Sequence, residues 1–147
     1  MDLGLANKKA VIVGASEGIG FASAMGLAQE GVEVFIVSRS LEKLEPAAEK
    51  IRKETGAVVH VKACDITKAD EVEGLGVWLS GETDYIDILV TAVGGSVKRA
   101  FDDLSDDDWL ANYEFNILGN VRLVRSTLPF VRKSDAGTIV IVSAAGG

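Results

Sequence analysis

Features that mark several classes of protein are scarce or missing in this sequence. Its 147 residues contain one cysteine, Cys64, so no disulfide can form within the chain, and this fits a reducing compartment. Basic residues are outnumbered, 15 Lys and Arg against 22 Asp and Glu, and the formal net charge of −7 argues against nucleic acid as a partner. A local basic pocket for a nucleotide phosphate is still compatible with that charge.

Long apolar runs are also missing. No stretch approaches the roughly 18 apolar residues that a membrane-spanning helix needs. The first four residues, Met-Asp-Leu-Gly, lack the basic start of a secretory signal peptide. We therefore expect a cytoplasmic protein whose partners include neither a membrane nor a nucleic acid.

The composition indicates one globular domain over residues 1–147. Hydrophobic residues make up 48% of the chain and its mean hydropathy is +0.24, which excludes a disordered protein. Apolar runs typical of strands alternate with segments of helical periodicity, the α/β pattern of βαβ units around a parallel sheet. The predicted strands are 9–13, 33–38, 58–63, 86–91 and 138–143, and the predicted helices are 21–30, 41–51, 69–79 and 105–132.

Three glycines connect the first strand to the first helix, in a stretch over 14–20 that reads GASEGIG. Gly14 can turn the chain sharply, Gly18 lets the backbone approach a pyrophosphate, and Gly20 lets the helix pack close to its strand. An anion would then meet the positive end of the helix dipole. The spacing predicts a dinucleotide-binding loop, and a purely structural turn is the alternative.

The last predicted strand is apolar at every position from Ile139 to Val142, which implies cover on both faces and a place inside a sheet. The chain ends soon afterwards, at Gly147, so this strand would lie on an open edge. We therefore expect a domain that is incomplete at its C-terminus, either a piece of a longer chain or one that a partner completes.

Several polar and aromatic residues receive structural interpretations. Ser105 is a predicted N-cap, and the acids at 106–108 complement the dipole of the helix that it opens, because carboxylates in one exposed turn converge poorly on a metal ion. We predict no metal site. Thr67 is predicted to cap the third helix. His60 and Cys64 are predicted to be structural, and Trp78 and Trp109 are predicted to pack on helix faces.

Five features together resemble the short-chain dehydrogenase/reductase family. They are the GASEGIG loop, Asp65 after the third strand, Gly94 after the fourth, Asn116 in the long helix and Ser143 at the end of the fifth strand. The resemblance implies a Rossmann-type, doubly wound parallel sheet with the strand order 3-2-1-4-5 and with further C-terminal strands missing. It also implies an oxidoreductase that transfers a hydride between NAD or NADP and a carbonyl or alcohol.

The resemblance assigns catalytic roles to Ser143 and Asn116. Hydride transfer to a ketone builds negative charge on the ketone oxygen, which needs a hydrogen-bond donor. Ser143, followed by Ala-Ala-Gly, matches the family's serine motif. In the family the asparagine bends its helix and holds a proton-relay water. A capping serine and a solvent-facing asparagine are the structural alternatives.

The family's acid/base motif, Tyr-x-x-x-Lys, does not occur in these 147 residues, since neither Tyr85 nor Tyr113 has a lysine four residues later. A positioned acid/base contributes a factor of about 10² to 10⁴, so we expect the enzyme to be a full-length parent and this chain alone to be nearly inert. In the family the missing part also carries a helix of the usual tetramer interface. The resemblance therefore implies a homo-oligomer, dimer or tetramer, when complete.

The end of the second strand predicts the cofactor. It reads Ser38-Arg39-Ser40, where an acidic residue would bind the ribose of NAD and a basic one would accept the extra phosphate of NADP. We expect NADP rather than NAD, although Arg39 as an ordinary surface charge is the alternative, and Glu17 counts against NADP. The resemblance places Asp65 and Ile66 at the adenine. The predicted cofactor-binding residues are Gly14, Ser16, Glu17, Gly18, Ile19, Gly20, Ser38, Arg39, Ser40, Asp65, Ile66, Ala92, Val93 and Gly94.

The fourth strand departs from the family pattern. It ends in Thr91-Ala92-Val93-Gly94 where relatives read Asn-Asn-Ala-Gly, so the asparagine that ties the central strands together is missing. This departure puts the stability of the sheet in doubt more than the chemistry.

Three functional hypotheses follow. The first is the N-terminal part of an NADP-dependent reductase of a small carbonyl or alcohol, of the ketoacyl or sugar-alcohol kind. The second is a dinucleotide-binding module without catalysis, and the third is a scaffold fragment that needs a second chain. The presence of Asn116 and Ser143 favours the first. The sequence does not specify the substrate, although Lys98 and Arg99 are predicted to meet an anionic group.

Overall fold

The computed structural model describes residues 2–144. Five strands alternate with helices along the chain. The strands are β1 (Lys9–Val13), β2 (Glu33–Ser38), β3 (Val59–Ala63), β4 (Ile88–Thr91) and β5 (Thr138–Ile141). The helices are α1 (Gly18–Gln29), α2 (Leu41–Thr55), α3 (Ala69–Glu82), α4 (Asp106–Tyr113) and α5 (Gly119–Val131), with a 3₁₀ turn at Phe101–Asp103.

All five strands are parallel and form one sheet in the order β3-β2-β1-β4-β5. β1 is central, because Val11 pairs with Phe35 of β2 on one side and with Leu89 of β4 on the other. The chain order reverses between β1 and β4, and ligands of such sheets bind beyond the carboxyl ends of the strands at that point. The predicted strand order is confirmed.

Helices cover both faces of the sheet. Successive β1 side chains point to opposite faces, so Ile12 packs in a core with residues of α1 and α2, whereas Val11 packs in a core with residues of α3 and α5. Both side chains are fully buried, and burial of one such aliphatic side chain stabilises a fold by about 1.5–3 kcal/mol. The predicted doubly wound architecture is therefore confirmed.

The predicted long helix over 105–132 is interrupted. It begins as predicted, with Ser105 as N-cap in a capping box with Asp108. A π segment, Glu114–Leu118, then separates α4 from α5. Nδ2 of Asn116 donates to the carbonyl oxygen of Asn112 at 3.0 Å, which is the acceptor that the backbone N–H of Asn116 would use in an α-helix. This competition accounts for the π segment, which lies inside the long helical stretch that the sequence predicted.

Other element boundaries also differ from the predictions. The N-cap of α3 is Lys68, so the prediction for Thr67 is wrong: the Thr67 hydroxyl donates instead to Oδ1 of Asp65 at 2.7 Å. β4 begins at Ile88, two residues later than predicted, and β5 ends at Ile141, two residues earlier. Residues 145–147, which follow Ser143 in the predicted serine motif, lie outside the described part of the chain.

The last strand, β5, lies at an edge of the sheet, as predicted. Its side chains Val140 and Ile141 are 43% and 53% exposed. The cover on both faces that the apolar pattern predicted is therefore not provided by residues 2–144. None of the helices in this range is both long and apolar enough to cross a membrane.

The aromatic side chains divide into packed and exposed ones. His60 stacks on Phe35 with ring centroids 4.3 Å apart, and Trp78 meets the same Phe35 ring edge-on at 6.0 Å. These contacts confirm structural roles for His60 and Trp78. Trp109 is 52% exposed and contacts the exposed Phe101, so the prediction that it packs on a helix face is wrong.

Candidate functional site

A cavity of about 620 Å³ opens beyond the carboxyl ends of β1, β2 and β4. This volume lies in the range of ligand sites, which is roughly 300–1,000 Å³. Among the predicted cofactor-binding residues, all except Gly20 and Asp65 line it. Its lining residues are Val13, Gly14, Ser16, Glu17, Gly18, Ile19, Ser38, Arg39, Ser40, Lys43, Cys64, Ile66, Ala92, Val93, Gly94 and Phe115.

The glycine loop brings β1, α1 and β4 close together. Gly14 has φ +84°, and a Cβ atom there would lie 2.5 Å from the carbonyl oxygen of Ala92. A Cβ atom on Gly20 would lie 2.1 Å from the carbonyl oxygen of Gly14. Gly20 is therefore absent from the cavity wall because it packs α1 against the loop, which is the role predicted for it.

The N-terminus of α1 lies at the cavity. Gly18 is the first residue of α1 and lines the cavity, whereas the N-cap, Glu17, makes no side-chain capping bond. The first-turn N–H groups and the positive end of the helix dipole therefore favour an anion at this place. The exposed carboxylate of Glu17 at the same wall opposes an anion.

The end of β2 supplies the positive charge of the cavity. Ser40 caps α2, its Oγ accepting a hydrogen bond from the backbone N–H of Lys43 at 3.3 Å. Arg39 and Lys43 are both exposed and both line the cavity. Sequence reasoning missed Lys43, although its position three residues after an N-cap in the first turn of α2 was a usable signal.

The end of β3 forms an apolar wall. Cys64 and Ile66 are buried and line the cavity, so Cys64, predicted to be only structural, contributes to the site as well. Burial, followed by the nearby charges of Glu71 and Asp65, raises the pKa of the Cys64 thiol to about 11. The thiol is therefore neutral near pH 7 and contributes an apolar surface rather than a nucleophile.

Asp65 does not line the cavity. Its Oδ1 accepts hydrogen bonds from the backbone N–H and the hydroxyl of Thr67, at 3.0 and 2.7 Å. Burial alone would raise the pKa of Asp65, but these two bonds and the charges of Lys68 and Arg39 lower it overall. The structure thus gives Asp65 a local partner, and its predicted contact with adenine stays a prediction.

Asn116 holds the loop that follows β4. Its Oδ1 accepts from the backbone N–H of Gly95 at 2.9 Å, and its Nδ2 donates to the carbonyl oxygen of Gly95 at 2.7 Å. The solvent-facing alternative for Asn116 is therefore wrong, because its side chain binds Gly95 and Asn112. Thr91, where the family has asparagine, is fully buried, and its hydroxyl has no partner within residues 2–144.

Ser143 lies beyond β5, next to the end of β4. The backbone N–H of Val142 donates to the carbonyl oxygen of Thr91 at 2.9 Å, so the chain before Ser143 runs alongside β4. Ser143 is exposed and is not part of the cavity wall described above. Asn116 thus binds the loop that follows β4, and Ser143 follows β5, the strand next to β4, so both lie near the carboxyl ends of these strands. Their catalytic roles stay predictions.

The acidic turn before α4 is used within the protein. Asp108 accepts from the backbone N–H and hydroxyl of Ser105, and Arg99 forms an ion pair with it. The hydrogen bonds from Ser105 and the charge of Arg99 lower the pKa of Asp108. Residues 2–144 contain no group of three His, Cys, Asp or Glu side chains arranged to hold a metal ion.

Residues 8–147 match the family model described as short chain dehydrogenase. An uncharacterized oxidoreductase of Mycobacterium tuberculosis is 35% identical over 144 residues, which are 95% of this chain and 42% of that protein. The fatty acyl-CoA reductase of Acinetobacter baylyi is 33% identical over 95% of this chain and 48% of its own length. The chain thus spans about half the length of the curated relatives that it matches.

Solved structures with the same fold contain nicotinamide cofactors. L-sorbose reductase from Gluconobacter frateurii, complexed with NADPH and L-sorbose, is 31% identical with a TM-score of 0.90 over 96% of this chain and 54% of its own. The alcohol dehydrogenase from Thermococcus sibiricus, complexed with 5-hydroxy-NADP, is 32% identical with a TM-score of 0.84 over 91% of this chain and 57% of its own.

Proposed function

The chain belongs to the short-chain dehydrogenase family, and from this premise we propose that the protein is an NADP-dependent oxidoreductase of a small carbonyl or alcohol substrate. The observation that carries the cofactor choice is the end of β2, where Arg39 and Lys43 line the cavity and 38–40 contain no carboxylate. Guanidinium and ammonium groups bind a 2′-phosphate, whereas an acidic side chain would bind the free ribose hydroxyls.

Two further features support binding of a dinucleotide. The first turn of α1, which begins at Gly18 beside the cavity, has backbone N–H groups with no acceptor inside the helix, and these suit a pyrophosphate. L-sorbose reductase and the Thermococcus alcohol dehydrogenase, which share the fold, were solved with NADPH and with 5-hydroxy-NADP. The carboxylate of Glu17 opposes the phosphates, and Arg39 and Lys43 contribute two positive charges to the same cavity wall.

When bound, NADPH supplies a hydride to the carbonyl carbon of the substrate, and the carbonyl oxygen takes up a proton. In this chain the proposed hydrogen-bond donor to that oxygen is the Ser143 hydroxyl, which stabilises the developing charge. Asn116 acts on the neighbouring loop, because its amide holds both backbone groups of Gly95. The activity is proposed for the protein as a whole, since the chain spans about half of its relatives.

A second candidate function is dinucleotide binding without catalysis. The cavity supports this candidate by itself, because the first turn of α1 and the side chains of Arg39 and Lys43 can bind a cofactor without a catalytic residue. An assay of NADPH oxidation by the full-length protein, with a panel of ketones, sugars and acyl thioesters, separates the two candidates. Turnover of any of them supports the oxidoreductase, and NADPH binding without turnover supports the binding module.

We also propose a cytoplasmic location and a homo-oligomer. The oligomer is supported by an exposed apolar stripe along α4, the π segment and α5, formed by Leu110, Tyr113, Ile117 and Val121. These residues follow one another at intervals of three or four, so they lie on one side of the helical segment. Sedimentation analysis of the protein and of an Ile117→Lys variant tests this proposal.

Fluorescence titration with NADPH and NADH tests the cofactor proposal. We expect NADPH to bind more tightly, and Arg39→Ala to weaken NADPH binding by about 10-fold to 100-fold, the value of a hydrogen bond to a charged group. NADH binding should change little. Arg125→Ala, an exposed arginine on α5 outside the cavity wall, is the matched control. Equal affinity for both cofactors, or no effect of Arg39→Ala, would contradict the proposal.

A further inference from the structure

Three asparagines follow one another at intervals of four residues where α4 passes through the π segment into α5: Asn112, Asn116 and Asn120. Side chains at this interval lie on one side of a helix. Nδ2 of Asn116 donates to the carbonyl oxygen of Asn112 at 3.0 Å, and Nδ2 of Asn120 donates to the carbonyl oxygen of Asn116 at 2.9 Å. We call these three residues the asparagine row.

Asn120 repeats the competition with the backbone that Asn116 makes. In an α-helix the carbonyl oxygen of Asn116 would accept from the backbone N–H of Asn120, and here the side chain of Asn120 donates to it. The backbone between them is widened, since the N–H of Gly119 donates to the carbonyl oxygen of Glu114, five residues earlier. The asparagine row therefore holds Asn116 from α4 on one side and from α5 on the other.

Stability alone does not explain an asparagine at position 120. Asn120 is 8% exposed, and its Oδ1 is buried without a hydrogen-bond partner among residues 2–144. Asparagine is a poor helix former, and an unpaired buried oxygen destabilises a fold. The buried side chains that follow it on α5, Leu123, Thr127 and Val131, are apolar or hydrogen-bonded. Asn120 therefore destabilises its helix, and the bond to Asn116 is what its amide provides.

The amide of Asn116 reaches the loop that follows β4. Its Oδ1 accepts from the N–H of Gly95 at 2.9 Å, and its Nδ2 donates to the carbonyl oxygen of Gly95 at 2.7 Å. The preceding residue, Gly94, lines the cavity, and a Cβ atom on it would lie 3.0 Å from Oδ1 of Asn116. The direction of the Asn116 side chain thus sets the shape of this loop.

The two helices beside the π segment differ in how firmly they are held. α5 has five buried residues, whereas α4 has none. If the π segment became α-helical, α4 would turn, and Asn116 with it, by up to about 100°, the rotation of one residue. Asn116 would then point away from Gly95. The bond from Asn120, which is anchored in α5, opposes this rotation.

We propose that Asn120 is a positioning residue: its amide fixes Asn116 in the π segment, and Asn116 in turn holds the loop at Gly95 in the shape that turnover needs. The effect on turnover rests on the proposed oxidoreductase function. The effect on the loop is a property of the folded chain and does not depend on that function.

The test compares Asn120→Thr with Asn120→Val in the full-length protein. The two new side chains have the same shape, and both remove the unpaired Oδ1. Only threonine has a hydroxyl that donates to the carbonyl oxygen four residues earlier, as Thr127 does to Leu123 at 2.8 Å in the same helix.

The first readout is the exchange rate of the Gly95 amide hydrogen, measured by NMR. Gly95 is exposed, so the bond from its N–H to Asn116 is what protects this hydrogen. We expect exchange to be about 10-fold faster in Asn120→Val than in the unchanged protein, and within about threefold of the unchanged rate in Asn120→Thr. The amide of Val142, which donates to Thr91, should keep its rate in both variants.

The second readout is turnover. With NADPH and a carbonyl substrate, kcat should fall about 10-fold in Asn120→Val and recover to within about threefold in Asn120→Thr, because a displaced loop lowers kcat more than it raises KM. Thermal stability should not follow this order, since valine leaves no buried polar group and should be at least as stable as threonine. A merely structural role of Asn120 would make kcat follow stability.

Thr127→Val is the matched control. It deletes the same kind of bond at a buried position of the same helix, seven residues beyond the asparagine row. Exchange at Gly95 should stay within about twofold of the unchanged rate. If Asn120→Val fails to fold, the pair Asn120→Ser and Asn120→Ala, which also differs by one hydroxyl, decides the question.

The outcomes separate two failures. Equal Gly95 exchange in Asn120→Thr and Asn120→Val would overturn the positioning role, and so would a difference in exchange with equal kcat in an active enzyme. If the unchanged protein reduces no carbonyl substrate, the proposed oxidoreductase function fails, while the Gly95 exchange rates still decide whether Asn120 positions the loop.

Discussion

The two ends of the sheet use their polar side chains in opposite ways. At the amino end, Asp87 is 4% exposed, and its carboxylate accepts from the backbone N–H of Lys9 at 2.9 Å and from the hydroxyl of Ser134 at 2.6 Å, with the Lys8 ammonium at 3.5 Å. These bonds join β1, the start of β4 and the connection between α5 and β5. A single buried carboxylate thus ties three parts of the chain together.

At the carboxyl end, the backbone makes the corresponding ties. The N–H of Gly14 donates to the carbonyl oxygen of Val37 at 2.8 Å, and the N–H of Ala92 donates to that of Val13 at 2.8 Å. Backbone groups connect β1, β2 and β4 here, and the exposed side chains of Arg39 and Lys43 line the cavity. Charged substitutions at the amino end should therefore change stability, and those at the carboxyl end should change ligand binding.

The largest effect is expected from Gly14→Val, which tests whether backbone contacts alone hold the carboxyl end. Valine at this position would have to adopt φ +84°, which is strained for a β-branched residue, and its Cβ atom would lie 2.5 Å from the Ala92 oxygen. We therefore expect the free energy of unfolding to fall by about 4 kcal/mol. Urea denaturation measures it. The control is Gly74→Ala in α3, where no atom lies within 4 Å of the added Cβ. Its free energy of unfolding should rise by about 1 kcal/mol, because alanine favours a helix over glycine by that amount. Equal stabilities of both variants would contradict this interpretation of the loop.

The next effect concerns Asp87 and pH. Burial alone would raise the pKa of Asp87, but the hydrogen bonds from Ser134 and Lys9 and the charge of Lys8 lower it below its ordinary value. A carboxyl whose folded pKa is lowered stabilises the protein above its unfolded pKa, about 3.9, and this contribution is lost as pH falls through the folded pKa.

Asp87→Asn should therefore cost about 1–3 kcal/mol in the free energy of unfolding at pH 7, and the difference should shrink as the pH is lowered below about 4. Urea denaturation at a series of pH values measures both. NADPH affinity at pH 7 should stay within about twofold of the unchanged protein, because Asp87 lies at the other end of the sheet from the cavity. Asp84→Asn, an exposed neighbour, is the control. A cost that persists unchanged at about pH 3 would contradict the assignment.

The smallest expected effect belongs to Lys43→Ala. We expect NADPH binding to weaken by about 3-fold to 10-fold and NADH binding to stay constant, since an exposed ammonium contributes about 1 kcal/mol to binding a phosphate. Unfolding free energy should change by less than about 0.5 kcal/mol. Lys53→Ala, the same change in the last turn of α2, is the control. Equal losses for both cofactors would show that Lys43 does not distinguish a 2′-phosphate.

The elements predicted well are those whose periodicity reflects burial. β1 and β2 have the predicted limits because every residue from Ala10 to Val13 and from Val34 to Val37 is buried between two helical layers, which makes the runs continuously apolar. The structure departs from the predicted elements where side chains compete with the backbone: a π segment forms at Asn116 within the predicted long helix, and the N-cap of α3 is Lys68 and not Thr67. Such competition depends on which partner lies within reach, and a periodicity does not contain that information.

The site divides in the same way. The glycine turn and most of the cavity wall were predictable from the sequence, because glycine spacing and strand ends have the same local consequence in any sheet of this kind. The strand order was implied by the family resemblance. The folded chain was needed to show that Lys43, Cys64 and Phe115 join that wall and that Asp65 binds Thr67. It also brings Arg39 to face Phe115, a contact between residues from opposite sides of the cavity. Contacts of this kind depend on how β2 and the π segment pack over one sheet, so they follow from three-dimensional position and not from spacing along the chain.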